Sequence, residues 1–326
     1  MLTDKLPRLQ IAHLPTPVEP LERLSAHLVG PRLLVKRDDQ TGLATGGNKT
    51  RKLEFLVAQA LAGRADVLVT GGAPQSNHAR QTAAAAAKFG LRAVLVLRGN
   101  EPPTRTGNLL LDDLLGAEIR WAGEGDLTTA LEQTAKELWS MGGRPALIPY
   151  GGSNPVGASG YTAALEELAA QLEAAGERVD AIVFASSSGG TQAGLVAGAR
   201  ALGFQGHIIG ISVDKPRDVL ASQVAALATE TAAYLELPFT FTPADIHVND
   251  NYLGGGYAMI GEPEREAIRL FASTEGLLLD PVYTGRAAAG LIDLIQNGYF
   301  RQGETVLFWH TGGGAGLFGF GKQLMG

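Results

Sequence analysis

Short apolar runs that end in clusters of glycine and serine, each followed by a stretch of helical periodicity, recur along most of this chain. DVLVTGG (66–72) leads into a helical stretch over 78–89, with Gly90 placed as its C-cap. RAVLVLRG (92–99), AEIRWA (117–122), ALIPYGG (146–152), VDAIVFASSS (179–188), HIIGISV (207–213) and TVLFWHTGGG (305–314) repeat the strand-like pattern. Helices are predicted over TGNLLLDDLLG (106–116), from an N-cap at Asp126 to about Met141, over 161–175, from Thr191, and over 264–275 and 286–296. Buried strands with helices between them imply an α/β fold of parallel sheets joined by right-handed crossovers. Ligands in such folds bind beyond the carboxyl ends of the strands. The loops there are made of small residues: TGGAPQSNH, YGGSN, SSSGGTQAG and HTGGGAG. No internal repeat, low-complexity segment or linker interrupts the pattern, so a second domain must be woven into the first.

The 326 residues, 45% of them hydrophobic, are ample for a large core and for two lobes. A net charge of -6 without a basic patch argues against nucleic acid, and no basic amphipathic helix suits a membrane surface. The chain has no cysteine, which excludes disulfides, thiolate metal sites and a cysteine nucleophile. MLTDKLPRLQ lacks the apolar run of a signal peptide, and no segment is apolar for long enough to span a bilayer. The expected location is cytoplasmic, and the N-K-T sequon at 48–50 is read as accidental. There is no H-E-x-x-H, no G-x-S-x-G and no His/Asp set at metal spacing, so metal and hydrolase readings lack support.

Two glycine-rich stretches carry the chemistry. GLATGGNKTRK (42–52) has Gly42 and Gly47 at phosphate-loop spacing, but Asn48 separates the second glycine from Lys49, which breaks the pattern. Lys49 stands at the mouth of an amphipathic helix whose apolar stripe is Leu53, Leu56, Val57, Ala60 and Leu61, with Arg51, Lys52 and Glu54 facing elsewhere. It can serve as an anion contact, a solvated surface residue or a Schiff-base nucleophile in a partly desolvated pocket. SSSGGTQAG (186–194) follows a strong strand and opens a helix, where successive backbone N–H groups and the helix dipole favour an anion. GAGLFG (314–319) matches G-x-G-x-x-G literally, but no acidic residue follows at the required distance, so close packing of the last helix explains it better. In QSNHARQ (75–81), Ser76 and Asn77 are N-cap types and His78 falls in the first turn. DPVYTG (280–285) places a tyrosine ahead of a helix.

Taken together, GGNKTRKLEFL, QSNHARQTAAAAAKFGL, GNLLLDDLLGA, IPYGGSNPVGASGY, SSSGGTQAG, EGLLLDPVYTG, AGLIDL and FWHTGGGAGLF resemble one family, in order, from about Leu6 to Phe320. It is the pyridoxal-phosphate enzymes of the tryptophan-synthase β-type fold (fold-type II), in the branch with D-cysteine desulfhydrase, L-cysteate sulfo-lyase and 1-aminocyclopropane-1-carboxylate deaminase. The resemblance implies two lobes of parallel-rich twisted sheets covered by helices. A large one spans 1–47 and 160–326, and a small one 48–159, with pyridoxal 5'-phosphate between them. It implies that Lys49 holds the cofactor as a Schiff base and that Asn77 bonds its ring hydroxyl. Ser187, Ser188, Gly189, Gly190 and Thr191 would hold the phosphate, and Thr311 would stand near the pyridine nitrogen. Ser76, Tyr257 and Tyr283 would share the catalytic work with Lys49. Ser76, Asn77, His78, Gly152, Ser153 and Thr284 would contact a small amino-acid substrate. A homodimer is the family expectation.

A threonine beside the ring nitrogen is only a dipole. It supports a weaker electron sink than a carboxylate would, which suits β-elimination, where a leaving group takes up the electron pair. The resemblance also carries three departures from the ring-opening deaminases, at Gly152, Thr284 and Thr311, where that branch has cysteine, glutamate and leucine. A sulfonate leaving group needs anion donors. Ser153, Asn154 and His78 include no arginine clamp, so D-cysteine is preferred over L-cysteate and the cyclopropane substrate is expected to be inactive. A pyridoxal-phosphate-carrying or phosphate-ligand binding protein without turnover is the alternative of a different class.

Overall fold

In the computed structural model, which describes residues 2–325, the strand-like runs form two sheets. The chain begins with β1 (Val18–Pro20), α1 (Glu22–Leu28) and β2 (Arg32–Lys36). There follow α2 (Lys49–Ala62), β3 (Val67–Gly72), α3 (Asn77–Lys88), β4 (Arg92–Leu97), α4 (Gly107–Leu114), β5 (Glu118–Trp121), α5 (Leu127–Ser140) and β6 (Pro145–Leu147). Next come α6 (Pro155–Ala175), β7 (Ala181–Ser186), α7 (Gly190–Leu202), β8 (His207–Ser212), α8 (Arg217–Tyr234) and β9 (His247–Asn249). The last elements are α9 (Glu262–Glu275), α10 (Thr284–Gln296), β10 (Thr305–Trp309), α11 (Gly314–Gly319) and α12 (Gly321–Met325).

The larger sheet has the order β1-β2-β10-β7-β8-β9 and the smaller one β5-β4-β3-β6. Every pairing is parallel except β1 with β2. Both faces of each sheet are covered, as parallel sheets require. Alternate residues supply the two layers of the larger sheet. Ile182, Phe184, Leu307 and Trp309 pack under α6, α7 and α8, while Ala181, Val183, Val306 and Phe308 pack under α9 and α10. In the smaller sheet Leu68, Leu95 and Leu97 face α2 and α3, and Val67, Val69, Val94 and Val96 face α5. No helix among the described residues is long and apolar enough to cross a membrane.

The predicted helices are present with shifted ends. Asp126 caps α5, accepting from the Thr129 N–H at 2.8 Å, and Gly90 lies one residue beyond the α3 C-cap Phe89 with φ +68°. The helix expected from Tyr161 starts six residues earlier, capped by Asn154, which accepts from the Gly157 N–H at 2.9 Å. Gly157 and Gly160 hide this turn from a propensity reading. A Cβ on Gly157 would lie 2.1 Å from the Gly152 carbonyl, and one on Gly160 2.4 Å from the Arg51 carbonyl. Both glycines are there so that α6 can touch its neighbours. ALIPYGG supplies only the last two residues of the three-residue β6 before a 3-10 turn at Tyr150–Gly152. Sequence periodicity does not pick out α8, whose alanines spread its apolar surface round the helix, nor the short β1 and β2.

Arg51, Lys52 and Glu54, expected to face away from the apolar stripe, are as buried as the stripe itself. Arg51 and Glu54 are paired and hydrogen-bonded, as a buried charge requires, while Lys52 has one carbonyl acceptor and is pushed towards its neutral form. Arg51 Nε donates to both Asp38 oxygens at 3.0 and 2.9 Å, and its Nη2 meets Glu167 at 2.9 Å. Lys36 Nζ meets the same Glu167 oxygen at 2.6 Å, and the Tyr161 hydroxyl donates to Asp38 at 2.6 Å. Glu54 accepts from the Ile11 and Ala12 N–H groups, both at 2.9 Å, and pairs with Arg8 at 2.7 Å. Lys52 donates to the Gly151 carbonyl at 3.1 Å.

Burial alone would raise the Asp38 carboxyl, but the Arg51 guanidinium holds it below its ordinary value of 3.8. A carboxyl with a depressed folded value contributes stability that is complete above the unfolded value and lost as pH falls towards the folded one. The network should therefore weaken only below about pH 4. Arg51→Met, which leaves Asp38 buried and unpaired, should cost about 3–5 kcal/mol in urea unfolding at pH 7. The loss should shrink on acidification as Asp38 protonates. An unfolding midpoint unchanged from wild type would contradict this.

Candidate active site

The carboxyl ends of β3, β7 and β10 meet where the two sheets approach each other, and the cleft there collects the small-residue loops. Lys49 is the first residue of α2 and lines the cleft. The turn before it is held from two sides. Gly47 (φ +124°) would bring a Cβ to 3.3 Å of the Thr311 carbonyl, which accepts the Asn48 N–H at 2.9 Å. Buried Arg80 donates to the carbonyls of Ala44 and Gly46, at 2.6 and 3.0 Å. The Lys49 amine faces no carboxylate, and desolvation pushes it down to about 8. Lys49 is half-buried in the cleft lining rather than on an open surface, and the lowered basicity brings its neutral amine within reach at physiological pH.

The loop after β7 forms the opposite wall. Ser187, Ser188, Gly189 and Thr191 line the cleft, Gly189 turns with φ +82°, and α7 begins at Gly190. A Cβ on Gly190 would lie 2.6 Å from Ser153 Oγ and 2.9 Å from Lys52 Nζ. Ser153 Oγ donates to Ser188 Oγ at 2.8 Å and accepts the Gly190 N–H at 3.2 Å, so the 150s loop sits directly against the start of α7. Asn48 Nδ2 donates to Thr191 Oγ1 at 3.1 Å. Lys52 has no carboxylate partner, and burial followed by the nearby Lys49 pushes its amine well below the usual lysine value. A helix N-terminus, the nearby Lys52 amine and buried hydroxyls, including an unpartnered Ser186 Oγ, form an anion cradle. The donor set fits pyridoxal phosphate: a phosphate cradle on one side and a desolvated amine on the other.

On the β3 side, Ser76 caps α3 by accepting the Ala79 N–H at 3.1 Å, which leaves its own proton available. Asn77 lines the cleft and accepts from Asn108 Nδ2 at 2.9 Å. His78 is buried, with Nε2 3.0 Å from Thr70 Oγ1. The Thr70 proton goes to the Ile148 carbonyl at 2.9 Å, so Nε2 carries the ring proton and Nδ1, which has no partner, is the free acceptor. Desolvation keeps this imidazole neutral.

Tyr283 and Thr311 line the cleft. Tyr257 stands behind Tyr283, the two hydroxyls 2.8 Å apart and the rings edge-to-face. Burial raises both phenols. Five expected residues, Tyr257, Ser153, Thr284, Gly152 and Gly190, stand behind the cleft lining. Thr284, expected as a substrate contact, is wholly buried and its hydroxyl donates to Asp280 at 2.8 Å. Asp280 is itself capped by the N–H groups of Val282, Tyr283 and Thr284. Gly152 lies behind the wall, where a Cβ would meet Leu56, Lys52 and His78. Gly190 turns its N–H to Ser153. Sequence reasoning missed Tyr150, which lines the cleft from the 150s loop, and Lys52, although its place three residues after Lys49 puts the two on one helix face.

This geometry is that of a cofactor-dependent enzyme site, and comparison with known proteins places it. Residues 9–312 match the family described as "Pyridoxal-phosphate dependent enzyme". The chain is 45% identical to the D-cysteine desulfhydrase of Klebsiella pneumoniae (strain 342), covering 98% of each chain. It is 44% identical to that of Salmonella newport (strain SL254), covering 97% of each. A crystal structure described as an ACC deaminase homologue superposes with a TM-score of 0.92 at 41% identity, covering 99% of this chain and 97% of the other. The threonine deaminase of T.th. shares the fold, with a TM-score of 0.65 at 23% identity over 91% of this chain and 92% of that one. The chain belongs to the pyridoxal-phosphate dependent enzymes, with a fold-type II architecture, and is a lyase whose cofactor is pyridoxal phosphate.

If desolvation sets the Lys49 amine, its reductive methylation in cofactor-free protein should reach half-maximal rate near pH 8. Peptide mass spectrometry across a pH series would measure it. A midpoint at the ordinary value of 10.5 would show that the amine is solvated.

Proposed function

We propose that this enzyme eliminates the β-substituent of a small amino acid, with D-cysteine as substrate and pyruvate, sulfide and ammonia as products. The carrying observation is the end-to-end likeness to D-cysteine desulfhydrases at 45% identity, on a cleft lined by neutral groups apart from Lys49. Bound pyridoxal phosphate supplies a conjugated ring that accepts the electron pair freed at the substrate α-carbon. The two sheets correspond in this reading to the two lobes, 1–47 with 160–326 and 48–159, and the cofactor lies between them.

Lys49 would hold the cofactor through its amine and would take the substrate α-proton. Its low basicity lets it act in both forms near neutral pH. Backbone N–H groups of Ser187, Ser188, Gly189 and Thr191 would hold the phosphate at the start of α7, and the buried Lys52 amine stands behind Gly190. Asn77 donates to the ring oxygen. Thr311 offers the ring nitrogen a hydroxyl rather than a carboxylate. Ser76, with its proton free, and neutral His78 orient the substrate carboxylate. The Tyr257–Tyr283 hydroxyl pair passes a proton to the departing sulfur, since both phenols stay protonated. Water then replaces nitrogen in the three-carbon product. The working unit is read as a cytoplasmic homodimer, following the family expectation.

L-Cysteate lyase activity is the second reading, because leaving-group chemistry alone separates the two substrates. The cleft wall has no arginine to meet a sulfonate, which favours the thiol. The likeness to an ACC deaminase homologue at 41% identity keeps the cyclopropane substrate in view. Thr284 and Gly152 lie behind the wall, so of the three sequence departures only Thr311 would bear on that substrate directly.

Lys49→Ala should remove turnover and the visible absorbance of bound cofactor together. Retained absorbance at wild-type strength would take Lys49 out of its role. A panel of D- and L-amino acids, with pyruvate, sulfide, sulfite and ketobutyrate measured separately, should give sulfide and pyruvate from D-cysteine. Sulfite from L-cysteate without sulfide from D-cysteine would overturn the substrate assignment, and ketobutyrate would restore the deaminase reading.

A further inference from the structure

Asn77 reaches the cleft from the start of α3, and an asparagine side chain can present either its carbonyl or its NH2 group to a ligand. Which one it presents is decided elsewhere in the fold. Asn108, the second residue of α4, is fully buried. Its Nδ2 donates to the Gln75 backbone carbonyl at 2.9 Å. A backbone carbonyl is an acceptor only, so this contact fixes the Asn108 amide with nitrogen on that side. The same Nδ2 has its second proton directed at Asn77, 2.9 Å from Oδ1. Asn77 therefore has its oxygen engaged, and its own NH2 group, without a partner in the protein, is left for the cleft it lines.

The arrangement is held from three directions. The Asn108 N–H donates to Gln75 Oε1 at 2.9 Å, and Gln75 Nε2 donates to the Thr106 carbonyl at 2.9 Å, so the Gln75 side chain caps α4 and locks its first turn. Gly316 of α11 roofs the amide pair, where a Cβ would stand 3.5 Å from Asn108 Nδ2 and 3.9 Å from Asn77 Oδ1. Gly107 lets α11 come this close, since a Cβ there would be 2.9 Å from the Ala315 carbonyl and 2.9 Å from the Gly319 nitrogen. The glycines of GAGLFG thus pack the C-terminal helix over the relay. Asn108 accepts the cost of a buried, unpartnered Oδ1 in this position.

We infer that Asn108 is a positioning residue that makes Asn77 a hydrogen-bond donor to the cleft, and so tunes the site for a cofactor carrying an acceptor oxygen on its ring. The inference rests on the reading of Asn77 as the contact to the ring oxygen of pyridoxal phosphate. In Asn108→Asp the acceptor-only carboxylate would draw Asn77 Nδ2 towards itself and turn Oδ1 to the cleft, oxygen against oxygen. Asn108→Ala would leave Asn77 free to turn.

The test titrates cofactor-free protein with pyridoxal phosphate and with the analogue lacking the ring hydroxyl, following absorbance and tryptophan fluorescence. Asn108→Asp should weaken pyridoxal phosphate about 10- to 100-fold, the range for a lost hydrogen bond to a charged group, and leave the deoxy analogue unchanged. Asn108→Ala should show a smaller loss of the same selectivity. In an Asn77→Ala background, Asn108→Asp should add no further selective loss. Equal loss of both compounds, or loss of neither, in the Asn108 variants while Asn77→Ala still discriminates would overturn the inference and leave the Asn77 reading standing. If Asn77→Ala does not discriminate between the two compounds, the Asn77 reading fails and this inference fails with it.

Discussion

Arg51 is the fixed point of the structure. Its guanidinium joins Asp38 of the N-terminal segment to Glu167 of α6, and it sits two residues after Lys49 on α2. The N-terminal segment, α2 and the distant α6 thus share one buried ion network, with Lys36 and Tyr161 at its edges. Such a network is costly to desolvate and is not an efficient way to add stability. What it does supply is a geometry with little freedom. The first turn of α2 can stand in only one place relative to β2 and α6, and the amine on that turn inherits the precision.

Opposite that turn, the site is electrostatically one-sided. The cleft wall carries Lys49, the N-terminal end of α7 and, just behind Gly190, the amine of Lys52, but no carboxylate. Both amines are held less basic than in water by burial, and neither finds an acidic partner. Burial favours the neutral amines, and a bound anion would favour their charged forms. Binding of the cofactor phosphate and stability of the cleft are therefore coupled, and a ligand that binds only the folded form raises its stability by mass action.

Much of this was readable from the chain. Parallel order followed from apolar runs separated by helices, and the position of the cleft followed from glycine and serine at the strand ends. Lys49, Asn77 and the Ser187–Thr191 loop were singled out by motif and by resemblance, and they gather in one place. The unread parts share a physical reason. The burial of Arg51 is not legible because sequence cannot reveal a partner more than a hundred residues away, in this case Glu167. Thr284 looked like a substrate contact because it follows Tyr283, but the Asp280 carboxylate claims its hydroxyl. Gly157 and Gly160 obscured the start of α6 because they serve contacts between helices, which no local propensity records. Asn108 carries no motif, and its importance appears only once α3 and α4 are seen side by side.

The strand order has a consequence for the way this chain is made. The smaller sheet draws all four strands from one continuous stretch, residues 67–147, so it can close as soon as that stretch has left the ribosome. The larger sheet has β10 as an inner strand, between β2 and β7, although β10 lies at residues 305–309. Until those residues emerge, β2 and β7 each present an open edge beside an incomplete apolar layer. Pairings that span such sequence distances are slow to form, and exposed edges invite association with other chains. Synthesis thus passes through a long interval with one finished sheet and one sheet missing a central strand, and the growing chain is most vulnerable to misassembly during that interval.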